Sequence, residues 1–156
     1  MKRVTVLLLS VFVVGTTNAQ KIAGSEVPAT VQQTFTQKFP NAKGVKWEKE
    51  DNTIEAEFKL GKEEYSASFD QAGKWLETES DIKKDKLPEA VSVSIAKEFS
   101  GYKIEKVEKL ETPDRGLLYE VELEKKETTY EVRFTAEGKI IKKEEMKESD
   151  EKKEKD

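Results

Sequence analysis

The sequence predicts an α+β fold of two tandem units, each a helix followed by a four-stranded antiparallel sheet, with the helices on one face of the sheet. Three observations carry that expectation. The chain repeats itself. Val27-Pro28-Ala29-Thr30-Val31 returns 60 positions later as Leu87-Pro88-Glu89-Ala90-Val91, and Tyr65-Ser66-Ala67-Ser68-Phe69 returns 65 positions later as Tyr130-Glu131-Val132-Arg133-Phe134. Copies of this kind fold alike and stack to bury a shared core. Within each copy the apolar residues first recur every four positions, as on a helix with one buried stripe. They then alternate strictly with polar ones, as on a strand with one wet face.

The chain opens on a secretory signal, 1–19. Lys2 and Arg3 precede the apolar run Val4 to Val14, and small residues lead to Ala19, after which cleavage is expected before Gln20. The run is too short to span a hydrocarbon core about 30 Å thick, and nothing later in the chain is long and apolar enough to do so. No cysteine follows it to carry a lipid anchor.

The first repeat, 24–80, begins with a helix. Pro28 suits the first turn, where its missing N–H has no helical partner. Val27, Val31, Phe35 and Phe39 form the buried stripe, and Pro40-Asn41 end it. A strand near 43–50 follows. A clear hairpin comes next: Ile54, Ala56, Phe58 and Leu60, then Tyr65, Ala67 and Phe69, alternate with polar residues across the Gly61-Lys62 turn. A fourth strand is placed near 74–78 and a short charged link at 79–86.

The second repeat, 85–143, has the stripe Leu87, Val91, Ile95 and Phe99, ended by Ser100-Gly101. Strands follow near 103–111, at Leu117, Tyr119, Val121 and Leu123, at Tyr130, Val132 and Phe134, and near 139–143. The offset grows from 60 to 65 because Thr112-Pro113-Asp114-Arg115-Gly116 lengthens a turn, where extra residues cost little. Residues 144–156 read as a charged, disordered tail, and from Lys142 the chain is nearly all Lys and Glu.

Composition excludes more than it proposes. The chain has no Cys and no His, so thiolate metal sites, disulfides and the usual nucleophile–base pairs are absent. The formal net charge of −4 becomes −6 once Lys2 and Arg3 leave with the signal, a balance that repels nucleic acid. No glycine pattern matches a phosphate loop, and Asp51-Asn52-Thr53 and 81–85 lack the oxygen spacing of a calcium loop. No metal and no cofactor are expected. Glu55, Glu57, Glu120 and Glu122 are the carboxylates that acid–base chemistry of a glycosidase kind would use. They alternate with core residues and read as a solvated face, so no catalytic residue is assigned. Trp47 and Trp75 are the candidate interaction residues. Their counterparts, Val107 and Ile140, are not aromatic, and tryptophan is enriched at binding hot spots. By parity Trp47 also fits the core under the helix, while Leu76 competes with Trp75 for the buried side.

The paired pattern of Val27, Pro28, Phe35, Phe39, Trp47, Tyr65, Phe69, Gly73 and Lys74 with Leu87, Pro88, Phe99, Tyr130, Phe134, Gly138 and Lys139 resembles the PepSY-like, β-lactamase-inhibitor-like periplasmic proteins. The resemblance covers about 24–143. It implies helices on one side of an antiparallel sheet and a non-enzymatic binding role in the periplasm. β-Lactamase inhibitors of the related fold clasp their enzyme with a concave, aromatic-rich sheet face. The outward positions here are Glu55, Glu57, Ser66, Ser68, Glu120, Glu122, Glu131 and Arg133, without aromatic anchors. Inhibition of a β-lactamase is therefore not expected. The function expected is an exported binding or regulatory module that engages an envelope protein or peptide. The alternatives are a passive envelope protein without a ligand and, last, a carboxylate-based hydrolase. Oligomeric state, and whether the repeats share one sheet, stay open.

Overall fold

The computed structural model describes residues 20–146; the expected signal, 1–19, and residues 147–156 of the expected tail lie outside them. Two helices, α1 (Ala29–Lys38) and α2 (Glu89–Glu98), each follow a short 3-10 turn. Among the described residues there are also nine strands: β1 (Gln20–Ile22), β2 (Lys43–Glu50), β3 (Thr53–Leu60), β4 (Glu63–Asp70), β5 (Trp75–Asp81), β6 (Lys103–Thr112), β7 (Gly116–Lys125), β8 (Thr128–Thr135) and β9 (Ile140–Met146). They form a single antiparallel sheet in chain order, β1 to β9. The question left open by the sequence, whether the two four-stranded repeats share one sheet, is answered by a single sheet of nine strands rather than eight. The last strand also runs to Met146, past the expected boundary at 143 and into the segment read as tail.

The sheet is continuous because β5 is longer than its apolar pattern suggests. Residues 79–81, read as link, continue the strand, and Thr78 to Asp81 pair with Glu111 to Glu108 on β6. The same register recurs at the start of the chain, where Gln20 faces Lys49 and Lys21 faces Glu48, as Ser80 faces Lys109 and Asp81 faces Glu108 sixty positions later. Strand β1 is thus the first-repeat counterpart of the end of β5. One strand both closes the first repeat and opens the second.

Both helix stripes are buried as the spacing requires, with Val31 and Val91 fully enclosed. They press on one face of the sheet. Under α1 lie Ile54, Ala56, Phe58, Ala67 and Phe69; under α2 lie Val107, Val121, Leu123, Val132 and Phe134. Leu117 has the right parity but is 40% exposed. Pro28 and Pro88 stand just before the first helical residue. The repeated Gly-Lys pair has a steric cause. Gly73 and Gly138 adopt positive φ of 89° and 79°, and a Cβ there would strike the backbone of Thr30 or the Ala90 carbonyl oxygen. Each glycine lets a bend pass under the first turn of its helix.

The opposite face carries no helix, yet Leu110 and Leu118 on it are 0% and 3% exposed. Leu118 lies there beside Leu76, Arg133 and Lys142. Arg133 on β8 contacts Glu77 on β5 at 2.9 Å. Those strands are three spacings apart, about 14 Å in a flat sheet. Two long side chains leaning toward each other over β6 and β7 close that gap.

Candidate functional site on the helix-free face

Register places one set of residues on this face: Glu55 and Glu57 of β3, Ser66 and Ser68 of β4, Glu77 and Glu79 of β5, Glu108 of β6, Glu120 of β7, Arg133 of β8 and Lys142 of β9. At its centre Arg133 donates through Nη1 to Glu77 and through Nε to Glu120, with Nη2 3.7 Å from Glu79. The contact joins the repeats directly, since β5 ends one and β8 lies in the other.

Burial gives these charges unusual acid–base properties. The side chain of Glu120 is 8% exposed and those of Arg133, Glu77 and Glu79 are 19–26% exposed. Loss of solvation pushes Glu79 up to about 8, helped by Glu77, Glu108 and Glu120 and opposed by Arg133. The same cause, with Glu131 beside it, raises Glu120 to about 7. Burial disfavours the Arg133 charge, but Glu120 and Glu77 more than offset this and hold the guanidinium protonated. Glu55 also rises through burial, against a 2.5 Å hydrogen bond from the Ser66 hydroxyl. The sequence reading of this face as fully solvated is corrected here. Alternation marks which side a residue faces, but not which side chains of other strands gather around it.

Beside this cluster lies a cleft of about 250 Å³ that crosses from β2 to β6 at the junction of the repeats. Lys46 and Lys106, equivalent residues of the two copies, both line it, with Glu57, Ser66, Glu79 and Asp81. Lys46 is 3.6 Å from Glu57, and Lys106 is 3.4 Å from Glu108. The cleft offers paired charges of both signs. Among the described residues no group of three or more acidic side chains is arranged to hold a metal ion.

The two tryptophans are elsewhere. Trp47 packs edge-on against Phe35 at 5.0 Å, on the helix side. Trp75 sits on the same side, because the bulge between β4 and β5 pairs it with Phe69. Its indole N–H donates to the Thr78 hydroxyl, and the Lys38 ammonium lies 3.4 Å from its ring centroid. Leu76 goes to the other face, near Leu118 and Arg133. Both tryptophans are half-buried against the first core. The large hydrophobics exposed among the described residues are Val93 and Leu117, on α2 and β7.

Sequence reasoning named Glu55, Glu57, Glu120, Glu122, Ser66, Ser68, Glu131 and Arg133 as facing away from the core, and it missed Glu77, Glu79, Lys46 and Lys106. The signal that was available is two leucines, Leu110 and Leu118, at the outward parity of the second repeat.

The chain matches the sequence model of a family described as "putative beta-lactamase-inhibitor-like, PepSY-like" twice, over residues 16–66 and 52–142. No curated protein matches it. Among solved structures it is similar to a DUF2874 family protein of Bacteroides uniformis ATCC 8492, with 28% identity, TM-score 0.68 and coverage of 76% of this chain and 88% of that one. A BLIP-like protein of Bacteroides fragilis NCTC 9343 has 23% identity, TM-score 0.67 and coverage of 76% and 86%. A protein of Bacteroides eggerthii DSM 20697 described as a "putative periplasmic" protein has 22% identity, TM-score 0.68 and coverage of 76% and 88%. These likenesses carry the fold. No described helix is long and apolar enough to cross a membrane.

Proposed function

The chain belongs to the PepSY-like, β-lactamase-inhibitor-like family, and from that premise we propose that it is an exported, non-enzymatic binding module of the cell envelope. Its working surface is the helix-free face, centred on the cleft between the repeats. The observation that carries this reading is the cleft itself, where duplicated Lys46 and Lys106 converge among carboxylates from both halves. The helix side is closed by its own core, whereas the helix-free face presents spaced charges of both signs to an incoming protein or peptide segment. Periplasmic residence fits the signal-like start and the periplasmic description of a structural neighbour.

A photo-reactive side chain at Asp81, in the cleft on the helix-free face, tests the proposal against one at Val93 on the exposed side of α2. Specific cross-linked protein from the cleft position and none from Val93 is the expected outcome in envelope fractions. Equal, background-level capture at both would overturn it. The second reading, a passive envelope protein, draws on the absence of an apolar patch around Trp75, which is half-buried beneath Lys38. It expects Trp75→Ala to alter stability alone and both cross-linkers to remain silent.

A further inference from the structure

The strands β5 and β6 are the seam of the molecule, where the two repeats meet. Their ladder there is four residues on β5, Thr78 to Asp81, against eight paired positions between β7 and β8. A short ladder leaves much of the angle between the halves to side chains. On the helix-free face, one guanidinium from the second repeat crosses the seam to two carboxylates of the first.

The charges around that crossing do not balance when fully ionised. Arg133 meets Glu77 and Glu79 from β5 and Glu120 from β7, three carboxylates for one positive charge. Glu108 on β6, which lies by Lys106, and Glu131 on β8, which lies by Lys142, add to the field. Glu144 on β9 pairs with Lys142 at 2.9 Å, and the facing residues of β4 are the uncharged Ser66 and Ser68. Carboxylates crowded this closely in a desolvated site cannot all carry charge, so protons are taken up.

We propose that this cluster is a proton-operated latch: protons shared among the carboxylates around Arg133 hold the repeats together, and their loss lets the helix-free face open at the β5–β6 seam. The latch lies beside the cleft, with Glu79 belonging to both. Opening therefore changes the width of the cleft, whatever occupies it. Repeat symmetry supports the assignment to the seam. Ser68 stands where Arg133 does in the first repeat, so β4 has no guanidinium to reach across to another strand. Burial that raises Glu79 and Glu120 sets the working range near neutral, above the range of ordinary carboxylates.

The test uses the full mature chain without any partner. The sequence has no cysteine, so Lys62→Cys and Glu127→Cys, in the equivalent β3–β4 and β7–β8 turns, take spin labels cleanly. The inter-label distance is read between about pH 5.5 and about pH 8.5, the range in which the raised carboxyls ionise. In the otherwise unchanged protein the distance is expected to lengthen by about one strand spacing, ~5 Å. Glu79→Gln with Glu120→Gln, which mimics the protonated cluster at equal size, is expected to hold the short distance throughout. Glu55→Gln, remote from the seam, is expected to leave the lengthening intact. A distance independent of pH in the unaltered protein, or a lengthening that persists in the double glutamine variant, overturns the latch.

Discussion

The helix-free faces of the two repeats start from one plan and end in different chemistry. In the first, Glu55 receives a hydrogen bond from Ser66, and Ser68 is small and neutral. In the second, the equivalents are Glu120, Glu131 and Arg133, and Arg133 gathers Glu120 with two carboxylates of the other repeat. The outward positions beneath change as well, from Glu50 and Thr53 to Leu110 and Leu118, both buried. The helix stripes, by contrast, keep apolar residues at the same places, although on the strands beneath them Trp47 and Trp75 give way to Val107 and Ile140. Divergence after duplication on the face without helices has tied the halves together there.

The largest expected effect concerns the shared strand. A fragment of residues 82–146 contains α2 and its whole core cluster but lacks β5, which covers one edge of β6. Units of about sixty residues are marginal in any case. The fragment is expected to be unfolded by circular dichroism, and one beginning at Trp75 to be folded. Equal folding of the two would break the account of β5 as a strand common to both repeats.

Arg133→Met and Ser68→Ala compare the two faces directly. Removing Arg133 leaves buried carboxylates without their cation and is expected to cost about 2–3 kcal/mol at pH 8, less than a fully buried pair because these groups keep some water. The loss shrinks at pH 5, where Glu79 and Glu120 hold protons. Ser68→Ala is expected to stay within about 0.5 kcal/mol in urea unfolding. Trp75→Ala is expected to cost about 2–3 kcal/mol, through lost packing of a half-buried ring against the first core. Lys38→Met, which removes the ammonium over Trp75, is expected to cost less than about 1 kcal/mol.

Much of the fold is legible in the sequence, and the limit has a physical pattern. The helices and the strands β3, β4, β7 and β8 announce themselves because they bury apolar residues at a fixed period. Strand β1 and the end of β5 do not. Gln20, Lys21, Ser80 and Asp81 carry no hydrophobic signal, and their strand geometry comes from pairing with β2 and β6. The site is less legible still. Periodicity assigns Glu120 and Arg133 to the outward face correctly, but their burial follows from contacts made across several strands. The contact of Arg133 with Glu77 spans 56 positions and three strand spacings, beyond any local window. Leu110 and Leu118 hint at it, as apolar residues where the first repeat has Glu50 and Thr53.

The cluster also makes a statement about pH. Glu79 and Glu120 lie above their ordinary value of 4.5 in the folded protein, so the native state keeps protons that the unfolded chain has released. The stabilisation they confer is complete below about 4.5 and is lost as pH rises through about 7 and about 8. The most direct measurement is the titration of their side-chain carboxyl carbons by NMR in the intact protein. Midpoints near 8 for Glu79 and near 7 for Glu120 are the result predicted. Midpoints near 4.5 for both would show that the face is open and solvated, and would contradict the joining of the repeats around Arg133.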